Sequence, residues 1–209
     1  IKGKKKLNGC KFKIMPDRIE AGTFALCVLG CSGQIILQNI NEVVSDHLQK
    51  IFLPIKQLKF EKMKKKTELK VYRDSPVTLS LKMKTAPYPG FPTDLQAQLI
   101  AALTISKGIS EISENIFENR FMHVSELKRM GANLILDKKK VKVKGEKKIF
   151  GAEVMATDLR ASSSLIIAGL MAEGKTLINR VYHLDRGYEN IEEKLKSCGA
   201  LIERIKWKK

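Results

Sequence analysis

Acidic side chains are scarce in this chain. There are 22 of them against 39 lysines and arginines, giving a formal net charge of +17 over 209 residues. Such a balance raises nucleic acid as a partner, but aromatic residues make up only 6% of the chain, and no stacking platform of the RNA-binding kind is present. The lysines gather in clusters, Lys4 to Lys6, Lys64 to Lys66, Lys138 to Lys140 and the terminal Lys206, Lys208 and Lys209. These clusters sit in turns or at the ends, so they read as solvated surface with a share left over to attract anionic ligands. Histidine is limited to the scattered His47, His123 and His183, which argues against a zinc site. The four cysteines, Cys10, Cys27, Cys31 and Cys198, have no metal-binding spacing. Cys27 and Cys31 fall four apart in an apolar helical pattern and read as buried free thiols of a reducing compartment. No apolar run approaches the roughly 18 to 20 residues of a membrane-spanning helix. The start, IKGKKKLNGCKFKIMP, is basic but has no apolar core or small-residue cleavage site, so it is not a secretory signal. It also lacks an initiator Met, which suggests a fragment or a processed product.

Hydrophobic residues supply 44% of the chain, enough for a sizeable core. Residues 1 to 15 alternate loosely and suggest a hairpin or a terminal strand. A helix opens at Pro16-Asp17 and stops at Gly30 or Gly33. A strand at 34 to 40, a helix at 42 to 52, and strands at 56 to 62 and 67 to 73 follow. The order then returns: helix 93 to 106, strand 109 to 114, helix 121 to 130, strands 133 to 137 and 140 to 144. It returns again: strand 152 to 155, helix 158 to 172, strand 175 to 180, helix 187 to 197 and strand 200 to 206. Ala21, Ala97 and Ala161 occupy matching places, spaced 76 and 64 apart, and Gly33, Gly108 and Gly174 follow them by 12, 11 and 13 residues. The pairs Gly131-Ala132 and Gly199-Ala200 match in the last two copies, where the first reads Leu53-Pro54. The expectation is an α+β domain of three βαβαββ repeats, about 15–83, 84–150 and 151–209. Sheets lie outside and helices inside, because LIIAGLMA (165 to 172) and its counterparts are apolar on more than one side.

Each repeat presents a helix start beside a strand-to-helix turn. The stretch YPGFPTDLQAQ, residues 88 to 98, is the most informative of these. Pro89, Gly90 and Pro92 make a rigid turn, Thr93 is placed to cap the helix, and Asp94 falls in the first turn. There the free N–H groups and the helix dipole favour a carboxylate, which could accept a proton or hold a hydroxyl. The alternative is a plain N-terminal helix carboxylate. The other turns carry Asp17 and Arg18, Arg120, Asp158 and Arg160, and Asp185 and Arg186. Arginines converging at helix mouths suit phosphate and carboxylate ligands. The competing reading is structural Asp–Arg pairing, of Asp158 with Arg160 or of Asp185 with Arg186.

Five stretches carry a resemblance: MPDRIEAGTF (15 to 24), YPGFPTDLQAQ (88 to 98), ENIFENRFMHVSELKRMGA (114 to 132), VMATDLRASSSLIIAGLMAEG (154 to 174) and YHLDRGYENIEEKLKSCGA (182 to 200). In this order they resemble the UDP-N-acetylglucosamine 1-carboxyvinyltransferase family, enolpyruvyl transferases with the fold shared by EPSP synthase. The resemblance is weakest at about 42 to 83 and 137 to 150. It implies a two-domain protein, each domain three βαβαββ units in an inside-out α/β barrel. This chain looks like the carboxyl-terminal half, with 1–14 the last strand of a missing first domain and 15–209 the second domain. The implied reaction moves the enolpyruvyl group of phosphoenolpyruvate to the 3-hydroxyl of UDP-N-acetylglucosamine and releases phosphate. That is the first committed step of peptidoglycan synthesis, and so of cell-wall biogenesis, cell shape and division. It implies a cytoplasmic protein with no cofactor and no metal, no nucleic-acid partner and no membrane.

By the same resemblance, Asp94 matches the aspartate that binds the sugar hydroxyl and serves as its general base. Ile116 matches a position that contacts the UDP-sugar through its backbone. Arg186 matches an arginine that grips phosphoenolpyruvate, and Arg160 and Arg120 match arginines of the same cleft. The family's proton-donating loop cysteine and its lysine–asparagine pair belong to the other domain, and none of Cys10, Cys27, Cys31 or Cys198 stands in that loop motif. The chain is therefore expected to supply one wall of the site and to be inactive alone, with a chain carrying the first domain as a possible partner. The reading from another class is a non-catalytic domain that binds a nucleotide-sugar or a partner protein.

Overall fold

The computed structural model describes residues 1–78 and 80–205. The first helix, α1 (Arg18–Cys31), is capped by Asp17, whose carboxylate accepts from the N–H groups of Ile19 and Glu20. Gly30 lies inside it. The stop is Ser32 with Gly33, both at positive φ, so Gly33 is the terminator of the two candidates. The chain continues through β1 (Gln34–Gln38), α2 (Glu42–Phe52), β2 (Leu58–Lys62) and β3 (Glu68–Arg73), which make a sheet of order β1-β3-β2. The second unit holds β4 (Lys82–Lys84), a 3₁₀ turn at Thr93–Leu95, α3 (Gln96–Leu103), β5 (Ile109–Ser113), α4 (His123–Arg129), β6 (Asn133–Asp137) and β7 (Lys140–Lys144). Its sheet runs β4-β5-β7-β6, with β4 parallel to β5 and the rest antiparallel. The third unit has β8 (Glu153–Met155), α5 (Leu159–Met171), β9 (Leu177–Asn179), a 3₁₀ turn at Val181–Arg186 and α6 (Ile191–Ser197), with β8 and β9 paired in parallel.

The α+β architecture matches the expectation. The central helices α1, α3 and α5 pack on one another, and the sheets lie outside them. All eight residues of α3 are buried, and α1 is buried from Ala21 to Gly30, so a one-sided amphipathic pattern was never available to these helices. Ala21, Ala97 and Ala161, the residues that set the repeat register, are all buried here. The three sheets stay separate, and among the described residues no closed barrel forms.

Four details differ from the sequence expectation. Residues 1 to 14 form no strand. They have no partner in any ladder, although Lys13 to Asp17 pass beside β1 and line a groove of about 760 Å³ between it and α6. Residues 200 to 205 are not a strand either, and 206 lies outside the described residues. In the second unit the equivalent strand, β6, pairs only with β7, and no counterpart of β7 stands in the third unit among the described residues. The strand β4, which begins the second unit, is an addition; it is only three residues long, too short to give a periodic signal. Cys27 is buried as expected. Cys31 is instead exposed at the end of α1, and all four cysteines are free. Among the described residues no helix is long and apolar enough to cross a membrane.

Candidate active site

Three aspartates start the three central helices, and they do different work. Asp17 and Asp158 are caps: each turns a carboxylate oxygen onto the first free N–H groups of its helix. Asp94 is not. It lies within the 3₁₀ turn that leads into α3, no side chain caps that turn, and its carboxylate is left for other partners. Thr93, expected to cap, donates its hydroxyl to Glu114 at 2.8 Å instead.

Two guanidinium groups hold the released carboxylate. Arg120, from the loop after β5, donates from Nη2 to Asp94 Oδ1 at 2.7 Å and from Nη1 to Thr93 Oγ1 at 2.8 Å, and it lies over the Phe117 ring. Arg160, in the first turn of α5, places Nη2 3.1 Å from Asp94 Oδ2. The second unit thus supplies the carboxylate and one guanidinium, and the third unit supplies the other guanidinium. Burial acts to raise the Asp94 carboxyl, but the Arg160 charge and the hydrogen bonds from Arg120 and Arg160 outweigh it. The group is held below the ordinary carboxylate value and is ionised at neutral pH. The suggested pairing of Asp158 with Arg160 is not formed, because Asp158 binds backbone N–H groups and Arg160 reaches Asp94.

Ile116 is exposed on the loop that follows β5, and its N–H is taken by Glu114 Oε1 at 2.8 Å. A ligand contacting its backbone has the carbonyl left to use. Arg186 is not in the Asp94 cluster. It lines an open cleft of about 540 Å³ with Glu20, Asp185, Tyr188, Lys194 and Arg204. Asp185 pairs with Arg204 at 2.7 Å rather than with Arg186, and among the described residues Arg186 has no carboxylate partner. An unpaired arginine in a cleft is open to an anionic ligand.

Sequence reasoning passed over Glu114. It is fully buried at the end of β5 and holds Thr85, Thr93 and the N–H groups of Ile116 and Phe117. Its partners lie 2 to 29 residues away in the chain, a spread that no local motif records. Among the described residues no group of His, Cys, Asp and Glu could hold a metal ion.

Comparison with known proteins bears on the family and the fold. The EPSP synthase (3-phosphoshikimate 1-carboxyvinyltransferase) family model matches residues 1–195. The UDP-N-acetylglucosamine 1-carboxyvinyltransferase of Bartonella henselae is 52% identical over 209 residues, covering 98% of this chain and 47% of the relative. The enzyme of the same name from a Chelativorans species is 50% identical over 205 residues, with the same shares covered. The chain thus spans about half the length of the curated relatives it matches. Among solved structures, the enolpyruvyl transferase NikO of Streptomyces tendae aligns with a TM-score of 0.79 at 23% identity, over 90% of this chain and 44% of that one, a likeness of fold. With residues 1–195 of the 209 matched by the family model, and relatives of about 50% identity over 98% of the chain, the chain belongs to the EPSP synthase family of carboxyvinyltransferases.

Proposed function

We propose that this chain is the second domain, residues 15–209, of an enzyme that transfers the enolpyruvyl group of phosphoenolpyruvate to the 3-hydroxyl of UDP-N-acetylglucosamine, with release of phosphate. The observation that carries the reading is the Asp94 carboxylate, freed from capping and set between Arg120 and Arg160. The relatives' names, at 50% and 52% identity over 98% of this chain, support the substrates.

A sugar hydroxyl is a weak nucleophile until its proton has an acceptor. Asp94 takes that proton as the oxygen bonds to the central carbon of phosphoenolpyruvate. A donor outside this cluster protonates the methylene carbon to a methyl group; a base outside this cluster then takes a methyl proton as the C–O bond to phosphate breaks and the double bond re-forms. Gripped by two arginines, Asp94 is a poor base. The phosphate and carboxylate of phosphoenolpyruvate compete for the same guanidinium groups. Their arrival draws Arg120 and Arg160 from Asp94 and makes it more basic when the hydroxyl is in place. Arg186, unpaired in the neighbouring cleft, adds a further positive charge for that ligand. Ile116 borders the sugar-nucleotide side. In this reading the chain supplies one wall of the site, and a chain or domain carrying the other wall is its partner.

The test is calorimetric titration of UDP-N-acetylglucosamine into the purified chain and into Asp94→Ala. Binding by the first and none by the second is expected; equal binding by both overturns the role of Asp94. In the same preparation, steady phosphate release from both substrates overturns the one-wall arrangement. Binding without any effect of Asp94 or Arg186 substitution favours a non-catalytic nucleotide-sugar module.

A further inference from the structure

We propose that Glu114 is a positioning residue whose two carboxylate oxygens lock the loop at 115–117 to the turn at 93–95, fixing where Asp94 and Arg120 stand relative to Ile116. The inference rests on the reading above only in taking that space as the sugar-nucleotide side.

The oxygens divide the work. Oε1 accepts from the N–H groups of Ile116 and Phe117, at 2.8 and 3.1 Å, and from the Thr85 hydroxyl at 2.9 Å. Oε2 accepts from the Thr93 hydroxyl at 2.8 Å. The proton directions follow from the neighbours. Thr85 Oγ1 already accepts from the Asn115 N–H and Thr93 Oγ1 from Arg120 Nη1, both at 2.8 Å, so each hydroxyl proton is free to point at Glu114. A carboxylate with no exposed surface and, among the described residues, no ion-pair partner is an expensive way to fill space; an apolar side chain would do it at less cost. What the carboxylate adds is orientation. By taking the Thr93 proton it turns a lone pair of that oxygen toward Arg120. The guanidinium then rests on two points, Thr93 and Asp94, and stays in the plane that pairs it with Asp94.

Glu114→Gln separates the two arms. The amide oxygen keeps the loop, while the amide NH₂ faces Thr93 and forces its hydroxyl proton round toward Arg120, which loses its second support. Carboxyl ¹³C NMR of the whole chain, with Asp94 assigned by its absence in Asp94→Asn, reads the result. Asp94 is expected to titrate at higher pH in Glu114→Gln and in Thr93→Val. The double variant should match the singles, and Thr93→Ser should restore the original midpoint. A merely structural role lowers the unfolding temperature but leaves the Asp94 midpoint of the folded variants unmoved, and that outcome overturns the proposal. Should Glu114→Gln fail to fold, an unmoved midpoint in folded Thr93→Val overturns it equally. Affinity for UDP-N-acetylglucosamine, measured in parallel, is expected to fall by about tenfold in Glu114→Gln. A shifted midpoint in a chain whose wild type ignores the nucleotide sugar supports the positioning role and overturns the substrate. Intact sugar binding with an unmoved midpoint overturns the positioning role alone.

Discussion

Arg160 sits two residues after Asp158 yet gives its guanidinium to Asp94, Nη2 to Oδ2 at 3.1 Å, across the boundary between the second and third units. The pair is partly open to solvent, with side-chain exposures of 17% and 35%. A contact of that kind contributes little to stability, below about 1 kcal/mol. Arg160→Ala should therefore leave the unfolding midpoint in urea almost unchanged while moving the Asp94 titration to higher pH. A large loss of stability with no movement of Asp94 would mean that the arginine braces the fold rather than tuning the acid.

His123 gives the chain an acid-sensitive point beside the site. It is buried at the start of α4, and burial brings its imidazole down to about 4 from 6.5, with Asp158 opposing and Arg120 adding to the effect. A group whose folded value is depressed supports the fold above its unfolded value and loses that support as pH falls toward the folded one. The chain should lose stability progressively from about pH 6.5 to about pH 4, by on the order of 3 kcal/mol in total. Asp94, depressed as a carboxylate, contributes a separate loss below the ordinary carboxylate value. His123→Phe should flatten the first window and leave the second. Urea melts between pH 7 and pH 4 decide this, and an unchanged slope in the variant would assign the loss elsewhere.

A buried polar knot joins all three units behind Asp94. Thr23 donates to the Ile19 carbonyl at 2.9 Å, so the Tyr188 hydroxyl must donate to Thr23, at 2.8 Å. The Gln98 amide reaches Thr23 at 3.2 Å and the Asp94 carbonyl at 2.8 Å. Tyr188→Phe removes one member while leaving Thr23 and Gln98 their other partners, so about 1 kcal/mol of stability should be lost. A thermal melt with Thr23→Val and the double variant completes the cycle. Strict additivity would show that the three groups do not act together.

The repeat is legible because its signals are local and redundant. Gly33 follows the cap of α1 at positive φ, Gly108 and Gly174 lie at positive φ in the turns a few residues beyond the ends of α3 and α5, and the buried alanines recur in register. The strands at 133–137 and 140–144 and the helix at 42–52 fall where alternation and capping put them. What failed depends on partners the spacing does not encode. Residues 1–14 and 200–205 have strand-like composition but enter no ladder with any described strand. At the site, Asp94, Arg120 and Arg160 were read from their places at helix mouths. Whether each acid caps its helix or faces an arginine was not legible, since Asp17, Asp94 and Asp158 look alike in sequence and only the 3₁₀ turn at Thr93 separates them. Glu114 was hidden for the same reason, its partners being gathered by the sheet rather than by the chain.

The end of α3 is clamped in a way that bears on Asp94 at its start. After β7 the chain crosses the exit of α3, with Glu146 N–H on the Thr104 carbonyl at 2.8 Å and Gly145 N–H on the Gly108 carbonyl at 3.1 Å. A Cβ at Gly145 would overlap the carbonyl oxygen of Ser106, which is backbone and cannot swing aside. Gly145→Ala should cost on the order of 3 kcal/mol, the range of overpacking that forces backbone to move. Gly33→Ala is the control: its Cβ would meet nothing within 4 Å, so only the strain of φ +94° is added, about 1 to 2 kcal/mol. Urea unfolding of the two variants side by side should rank Gly145→Ala as clearly worse. Equal losses would mean that the strand–helix crossing yields easily, and that α3, with Asp94 at its start, is not held by it.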